Sequence, residues 1–415
     1  MRIIVKNKSL FILVGAVLLG GISGFLLTFL PPDATASVST YVLSLPCNVF
    51  LTVLRYVAGP LIFLSLIESI YGCGDLKTFG KIGKNAFLRF IFYSFLAGII
   101  SVVFAVFFFG IPLSGEGDGK SEWMEVLRLF AHFIPENPWD PFLLCDLLQI
   151  SFMAIVLGFV LLLLGKRAKV VVDVLKKIEK LFFFFIRIIG KVIPVYVFLS
   201  SASIVLAGEK DTVLHLWRLV ICYLCASALM VVFILIRTKI VTKQPILTTI
   251  RNILPPFLIA LTTANSTMAL DEHFKTAEEK NGISDTTSRF AVPLAMSIFK
   301  PSSIMYLAVI GCYFLSESGS AVSVSRILTA ALTATLLTLS IPPIPGGGIN
   351  CYTVLFHQIG VSDGFLPIAL ALNAFMEFPI TGLNNFSQPP EILILETKAK
   401  RREKRRLDTQ KTDGT

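Results

Sequence analysis

Asn373, Glu377, Thr381 and Asn384 stand at i, i+4, i+8 and i+11 and so share one face of a helix. They lie in the apolar run GFLPIALALNAFMEFPITGLNNFSQ, residues 364–388, which is long enough to cross a bilayer. A charged residue at mid-bilayer costs about 2.5–3.5 kcal/mol on insertion scales, so Glu377 is expected to face the bundle interior and to have a function. A carboxylate flanked by two amides and a hydroxyl can hold an ammonium group, carry a proton, or do both. Two further polar groups interrupt apolar runs: Thr262-Thr263-Ala264-Asn265-Ser266-Thr267 within 246–270, and Lys300-Pro301-Ser302-Ser303 within 288–314. Pro301 lacks an amide donor and disfavours helical geometry at Lys300, which predicts an unwound helix there. Lys300 is expected to neutralise the broken-helix region in place of a cation, to bind a substrate carboxylate, or to act as a structural counter-ion for Glu377 or for half-helix carbonyl ends.

The elements that position these residues are membrane spans. Of 415 residues, 54% are hydrophobic and only 15% charged, with a mean hydropathy of +0.77, which excludes a soluble protein. The formal charge of +10 does not indicate nucleic-acid binding, because Lys and Arg sit between the apolar runs and in the tail, as in cytoplasmic loops. Spans are predicted at about 10–30, 47–72, 86–109, 147–165, 181–206, 213–236, 288–314 and 364–388. The first is too long for a signal-peptide core, so it is read as uncleaved despite Ala34-Thr35-Ala36.

Segment 246–270 is broken by Pro255-Pro256 and its polar run, and 327–357 by Pro342-Pro343-Ile344-Pro345 and Gly346-Gly347-Gly348. Non-helical backbone at membrane depth must be satisfied by protein or by a water-filled cavity, so both are read as re-entrant helical hairpins. The expected fold is an all-α polytopic membrane protein of eight transmembrane helices plus two re-entrant hairpins. Charges between spans alternate from a basic N-terminus to the basic tail (Lys398 to Arg406), placing both termini in the cytoplasm. Paired, Pro/Gly-interrupted segments in the two halves point to a transporter site.

Seven scattered cysteines suggest no disulfide framework, and Cys222 and Cys225, although at metal-ligand spacing, are read as packing. The four histidines form no motif. Without paired acids, a Ser–Lys pair or a cluster of metal ligands, an intramembrane enzyme is not expected.

In ALTTANSTMALDEHFKTAEEKNGISDTTSRFAVPLA, IPGGGINCYTVLFHQIGVSDGFLPIALALNAFMEF and IPENPWDP, the chain resembles the dicarboxylate/amino acid:cation symporters, which include the glutamate transporters. The resemblance runs through essentially the whole chain. It implies inverted repeats, a homotrimer in the cell (inner) membrane, and an elevator-like transport domain carried by a scaffold. Residues 1–244 would then supply the scaffold and parts of the transport domain, 245–392 the transport core, and 393–415 a basic cytoplasmic tail.

By the same resemblance, Glu377 matches the acid that binds a substrate ammonium and Asn384 the amide that binds its carboxylate, with Thr381 between them. Asn265, Ser266 and Thr267 match the first hairpin tip, and Pro345, Gly346 and Gly347 the second. Three departures stand out. Ile380 replaces the arginine that selects acidic side chains. Phe299-Lys300-Pro301-Ser302-Ser303 replaces the sodium-coordinating helix break, and Gln388 replaces a sodium-binding aspartate. The expected function is a secondary active transporter of an amino acid or small dicarboxylate, needing no cofactor and coupled to H+ or Na+. A channel-like or solute-sensing relative of the same fold is the alternative.

Overall fold

The computed structural model describes residues 8–72, 83–112, 131, 134–144, 146–206, 210–317, 324–339, 341, 351–352, 355–356, 359–361 and 365–412. The second hairpin tip, with Pro345, Gly346 and Gly347, lies outside the described residues, as do Cys73, Cys145, His132 and His357. Regular structure among the described residues is helical: α1 (Lys8–Leu27), α2 (Leu45–Tyr71), α3 (Lys84–Phe109), α4 (Leu147–Leu164), α5 (Lys169–Leu206) and α6 (Lys210–Thr242). After these come α7 (Ile246–Thr263), α8 (Leu270–Lys275), α9 (Asp285–Ile298), α10 (Pro301–Glu317), α11 (Val324–Leu339) and α12 (Leu366–Thr412). Helices within Asn85–Phe109, Gln149–Phe182, Leu216–Thr242, Ile246–Thr263 and Asp285–Glu317 are long and apolar enough to cross a membrane.

The helices sort into two packed groups. In one, α1 lies along α5, and α2 packs on α4 and α5. Gly20 and Gly24 let α1 approach so closely that a Cβ would meet the Phe198 carbonyl at the first and the Ala202 carbonyl at the second. Phe50 of α2 stacks on Tyr196 of α5 with ring centroids 4.7 Å apart. The other group surrounds α10, whose residues from Pro301 to Leu315 are all buried. There α3 packs on α10 and α11, while α12 crosses α6, α7, α9 and α10. At Gly382 of α12 an added Cβ would come within 3.0 Å of the Leu261 Cβ on α7.

The chain reverses after α7. Ala264 adopts a left-handed conformation (φ 49°), Asn265 is extended, and a 3-10 turn at Ser266–Ala269 leads into α8. The returning arm brings Asn281 back to Asn252, whose side-chain amide donates to Asn281 Oδ1 at 2.9 Å.

Several helix boundaries differ from expectation. Pro255 and Pro256 do not break α7. A proline removes the bond to the carbonyl four residues earlier, and the Asn252 carbonyl left free by Pro256 accepts from Thr276 Oγ1 at 3.2 Å instead. The eighth predicted span was to end at Gln388, yet α12 continues through Pro389 and Pro390 to Thr412. Residues 384–396 are buried, so packing on both sides of the prolines holds the helical path. Lys176, Lys177 and Lys180, read as a connection, lie inside α5. The predicted break at Lys300–Ser303 is confined to Phe299 and Lys300, because Pro301 opens α10 as a first-turn proline.

Candidate functional site

The break between α9 and α10 is held by side chains of α12. Phe299 leaves helical geometry (φ −93°, ψ 87°), so the first amides of α10 need acceptors. Asn384 provides one: its Oδ1 accepts from Ser302 N at 2.9 Å and Ser303 N at 3.3 Å, while its Nδ2 donates to Ser303 Oγ at 2.7 Å. This is an N-cap supplied by a different helix. One turn along, Gln388 Nε2 donates to the Phe299 carbonyl at 3.1 Å. Lys300 Nζ donates to the Ile341 carbonyl just beyond α11. Phe299 itself stacks on Phe90 of α3, 5.3 Å between centroids.

Asn385, the neighbour of Asn384, fastens the first hairpin. Its Nδ2 donates to Ser266 Oγ at 2.9 Å and to the Thr381 carbonyl at 2.7 Å, and its Oδ1 pairs with His273 Nε2 at 2.7 Å. At the tip, Asn265 Oδ1 accepts from Thr267 N at 2.9 Å, capping the short turn.

Between these fastenings lies a cavity of about 50 Å³. Glu377 of α12 and Lys300 from the helix break both line it, together with Ser266, Ser303, Asn373, Ile380, Thr381 and Asn384. Asn373 Nδ2 donates to Glu377 Oε1 at 3.3 Å, and Asn373 Oδ1 accepts from the Tyr352 hydroxyl. The structure thus gathers eight of the predicted site residues around one space. It does not bring Asn265, Thr267, Phe299, Ser302 or Gln388 to the cavity wall. Thr267 is exposed, whereas Phe299 and Gln388 are wholly buried behind the break.

The sequence reading missed Tyr306, Leu307, Ile341 and Tyr352, which also line the cavity. Tyr306 stands edge-on to Tyr223 and to Tyr352, with centroids 5.4 Å and 6.4 Å away, and its buried hydroxyl has no hydrogen-bond partner among the described residues. The signal available was a tyrosine in mid-span, one and a half turns past a lysine. Also missed was a buried ionic cluster below the site. Glu391, fully buried, pairs with Arg89 of α3 at 2.9 Å and with Arg237 of α6. The Arg237 guanidinium lies over the Tyr93 ring, 3.6 Å from its centroid. By charge alone, these two arginines at the ends of the third and sixth spans count as cytoplasmic-loop residues. Among the described residues no group of three or more His, Cys, Asp or Glu side chains could hold a metal ion.

The sequence profile of the sodium:dicarboxylate symporter family matches residues 10–388. The C4-dicarboxylate transport protein of Cupriavidus pinatubonensis is 25% identical over 346 residues, covering 80% of this chain and 76% of its own. C4-dicarboxylate transport protein 1 of Ralstonia nicotianae is 25% identical over 346 residues, with 80% of this chain and 77% of its own covered. The C4-dicarboxylate transport protein of Bacillus subtilis is 24% identical over 354 residues, covering 81% and 78%.

Proposed function

The chain belongs to the sodium:dicarboxylate symporter family, and from that premise we propose that it is a secondary active transporter of a small carboxylate-bearing solute. It is an integral membrane protein of a transporter family and not an enzyme. The cavity between α10, α12 and the first hairpin is the proposed substrate site.

One observation carries this reading: among the described residues, one acid, Glu377, and one base, Lys300, line the same small cavity among amides and hydroxyls. That charge pattern complements a zwitterion. In this reading Glu377 receives the ammonium and Lys300 the carboxylate of an amino acid, with Thr381 and Ser266 as hydrogen-bonding partners. The aliphatic Ile380 offers no second cation for an acidic side chain, so neutral amino acids are preferred. A space of about 50 Å³ holds only a few waters. The cavity must therefore widen to admit substrate. The reading includes the expected elevator movement, a homotrimer, cytoplasmic termini and drive from a cation gradient, with Glu377 able to carry a proton.

The names of the relatives favour a second reading, a C4-dicarboxylate as substrate. Lys300 would then bind one carboxylate and a protonated Glu377 would donate to the other. Uptake into proteoliposomes separates the two. Alanine and serine should compete with labelled substrate where succinate and glutamate do not; the reverse order establishes the dicarboxylate reading. Accumulation against a gradient is required of a transporter, and its absence leaves the channel-like or sensing alternative. Glu377→Gln should fold but lose a charge-assisted contact of about 1.5–3 kcal/mol, roughly tenfold to hundredfold in affinity. Uptake at the unaltered rate and affinity in that variant removes the assigned role.

A further inference from the structure

The family is named for sodium, and the resemblance sets an ion at the break in the seventh span. The residues of this break do not fit one. Where discontinuous helices hold sodium, unwound backbone carbonyls and half-helix C-terminal ends supply the ligands. Among the described residues, three of those carbonyls already have donors from the chain itself. The Phe299 carbonyl, at the end of α9, takes Gln388 Nε2 at 3.1 Å. The Ile341 carbonyl, just past α11, takes Lys300 Nζ. The Lys300 carbonyl takes Ile304 N at 3.3 Å, and the amide oxygen of Asn384 is engaged by Ser302 N and Ser303 N. A metal ion needs several acceptors; Lys300 Nζ and Gln388 Nε2 turn donors to these carbonyls, and Gln388 Oε1 is a single buried oxygen left without a hydrogen-bond partner among the described residues.

We infer that Lys300 is a tethered counter-ion standing where a dissociable sodium would act, with Gln388 closing the remaining carbonyl, so that the break takes up no sodium. The electrostatics agree. The C-terminal ends of α9 and α11 both carry partial negative charge towards this point, and a cation is favourable at each. Lys300 is 4% exposed and cannot leave. A ligand shifts a conformational equilibrium only by binding its states differently. A charge attached to the chain and present in every state therefore extracts nothing from a sodium gradient. The inference deepens the transporter reading by assigning its coupling, and only its consequence for uptake rests on that reading.

The test is thermal unfolding of the purified full chain in detergent, in sodium, potassium and choline chlorides at equal ionic strength and without substrate. The wild-type midpoint is expected to be the same in sodium as in potassium. A saturable, sodium-specific rise overturns the inference, because an ion bound only by the folded state must stabilise it. The double variant Lys300→Asn/Gln388→Asp returns oxygen ligands and should acquire a sodium-specific rise of a few degrees. If it folds and shows none, these two side chains are not what excludes the ion. If it does not fold, Gln388→Asp alone and the wild-type comparison still decide. In proteoliposomes, replacing a sodium gradient by choline should leave uptake unchanged. Failure to take up any amino acid or dicarboxylate would sink the transporter reading and leave the melting result standing.

Discussion

Asn384 shows how much a single side chain can do that its type does not announce. Helical spacing puts it on one polar face with Asn373, Glu377 and Thr381, and the family resemblance matches it to the amide that binds a substrate carboxylate. Its actual partners are amides at the start of another helix, which only the tertiary fold brings near. Asn384→Ala should cost about 1–2 kcal/mol through the lost cap, read as a lower thermal midpoint in detergent. Asn384→Asp keeps an acceptor at a helix N-terminus and should retain most of that stability. Equal losses in the two variants would argue against capping. Tyr306 and Tyr352 escaped notice for a related reason. Tyr306 lies within the seventh predicted span and Tyr352 near the end of segment 327–357, and nothing in their spacing connects them to Glu377. Asn385 sits one residue off the predicted face, so its grip on Ser266 and His273 was equally hidden.

Helices fared better than their ends. Each predicted span overlaps a described helix, the seventh two of them (α9 and α10). Five helical stretches among the described residues, one of them α7 from the predicted first hairpin, are long and apolar enough to cross a membrane. Prolines were misread as terminators in α7 and α12, since their effect depends on what replaces the missing bond. In α7 the replacement is the Thr276 hydroxyl, twenty residues further along the chain than Pro256. In α12 the residues after Pro390 are held by Glu391, which ties the helix to α3 and α6 through Arg89 and Arg237. Removing one member of such a cluster leaves buried charge uncompensated. Glu391→Gln should therefore destabilise the protein by about 3–5 kcal/mol, seen as a large fall in thermal midpoint. A near-neutral effect would show that the two guanidiniums find other partners. Loop-charge counting could not have found this cluster, because it scores arginines by sequence position and takes no account of burial.

At the scale of the molecule, hydropathy reports depth in the membrane but not which helices are neighbours. That α3 and α6, from the first half, pack with α7 to α12 around α10 was not legible from apolar runs. If the two groups move past each other during transport, a bridge between them should stop the cycle. Phe87 of α3 and Phe159 of α4 meet across the groups with centroids 6.5 Å apart. Cysteines at these positions, cross-linked in a background lacking the native cysteines, should abolish uptake reversibly. A link between positions 50 and 196, both in the first group, should not. Full uptake with the Phe87–Phe159 link closed would rule out relative movement.

The unbroken course of α12 has a mechanical consequence. Its 47 residues make a rod of about 70 Å, against a hydrocarbon layer of about 30 Å. The segment that presents Glu377 to the cavity is thus continuous, through Pro379, Pro389 and Pro390, with a helix longer than the bilayer is thick. A small rotation at the cavity becomes a wide sweep at Thr412, which a fluorophore attached there would register. Any protein or surface that clasps the far end of this helix holds the cavity wall as well, and so can brake the cycle without approaching the solute.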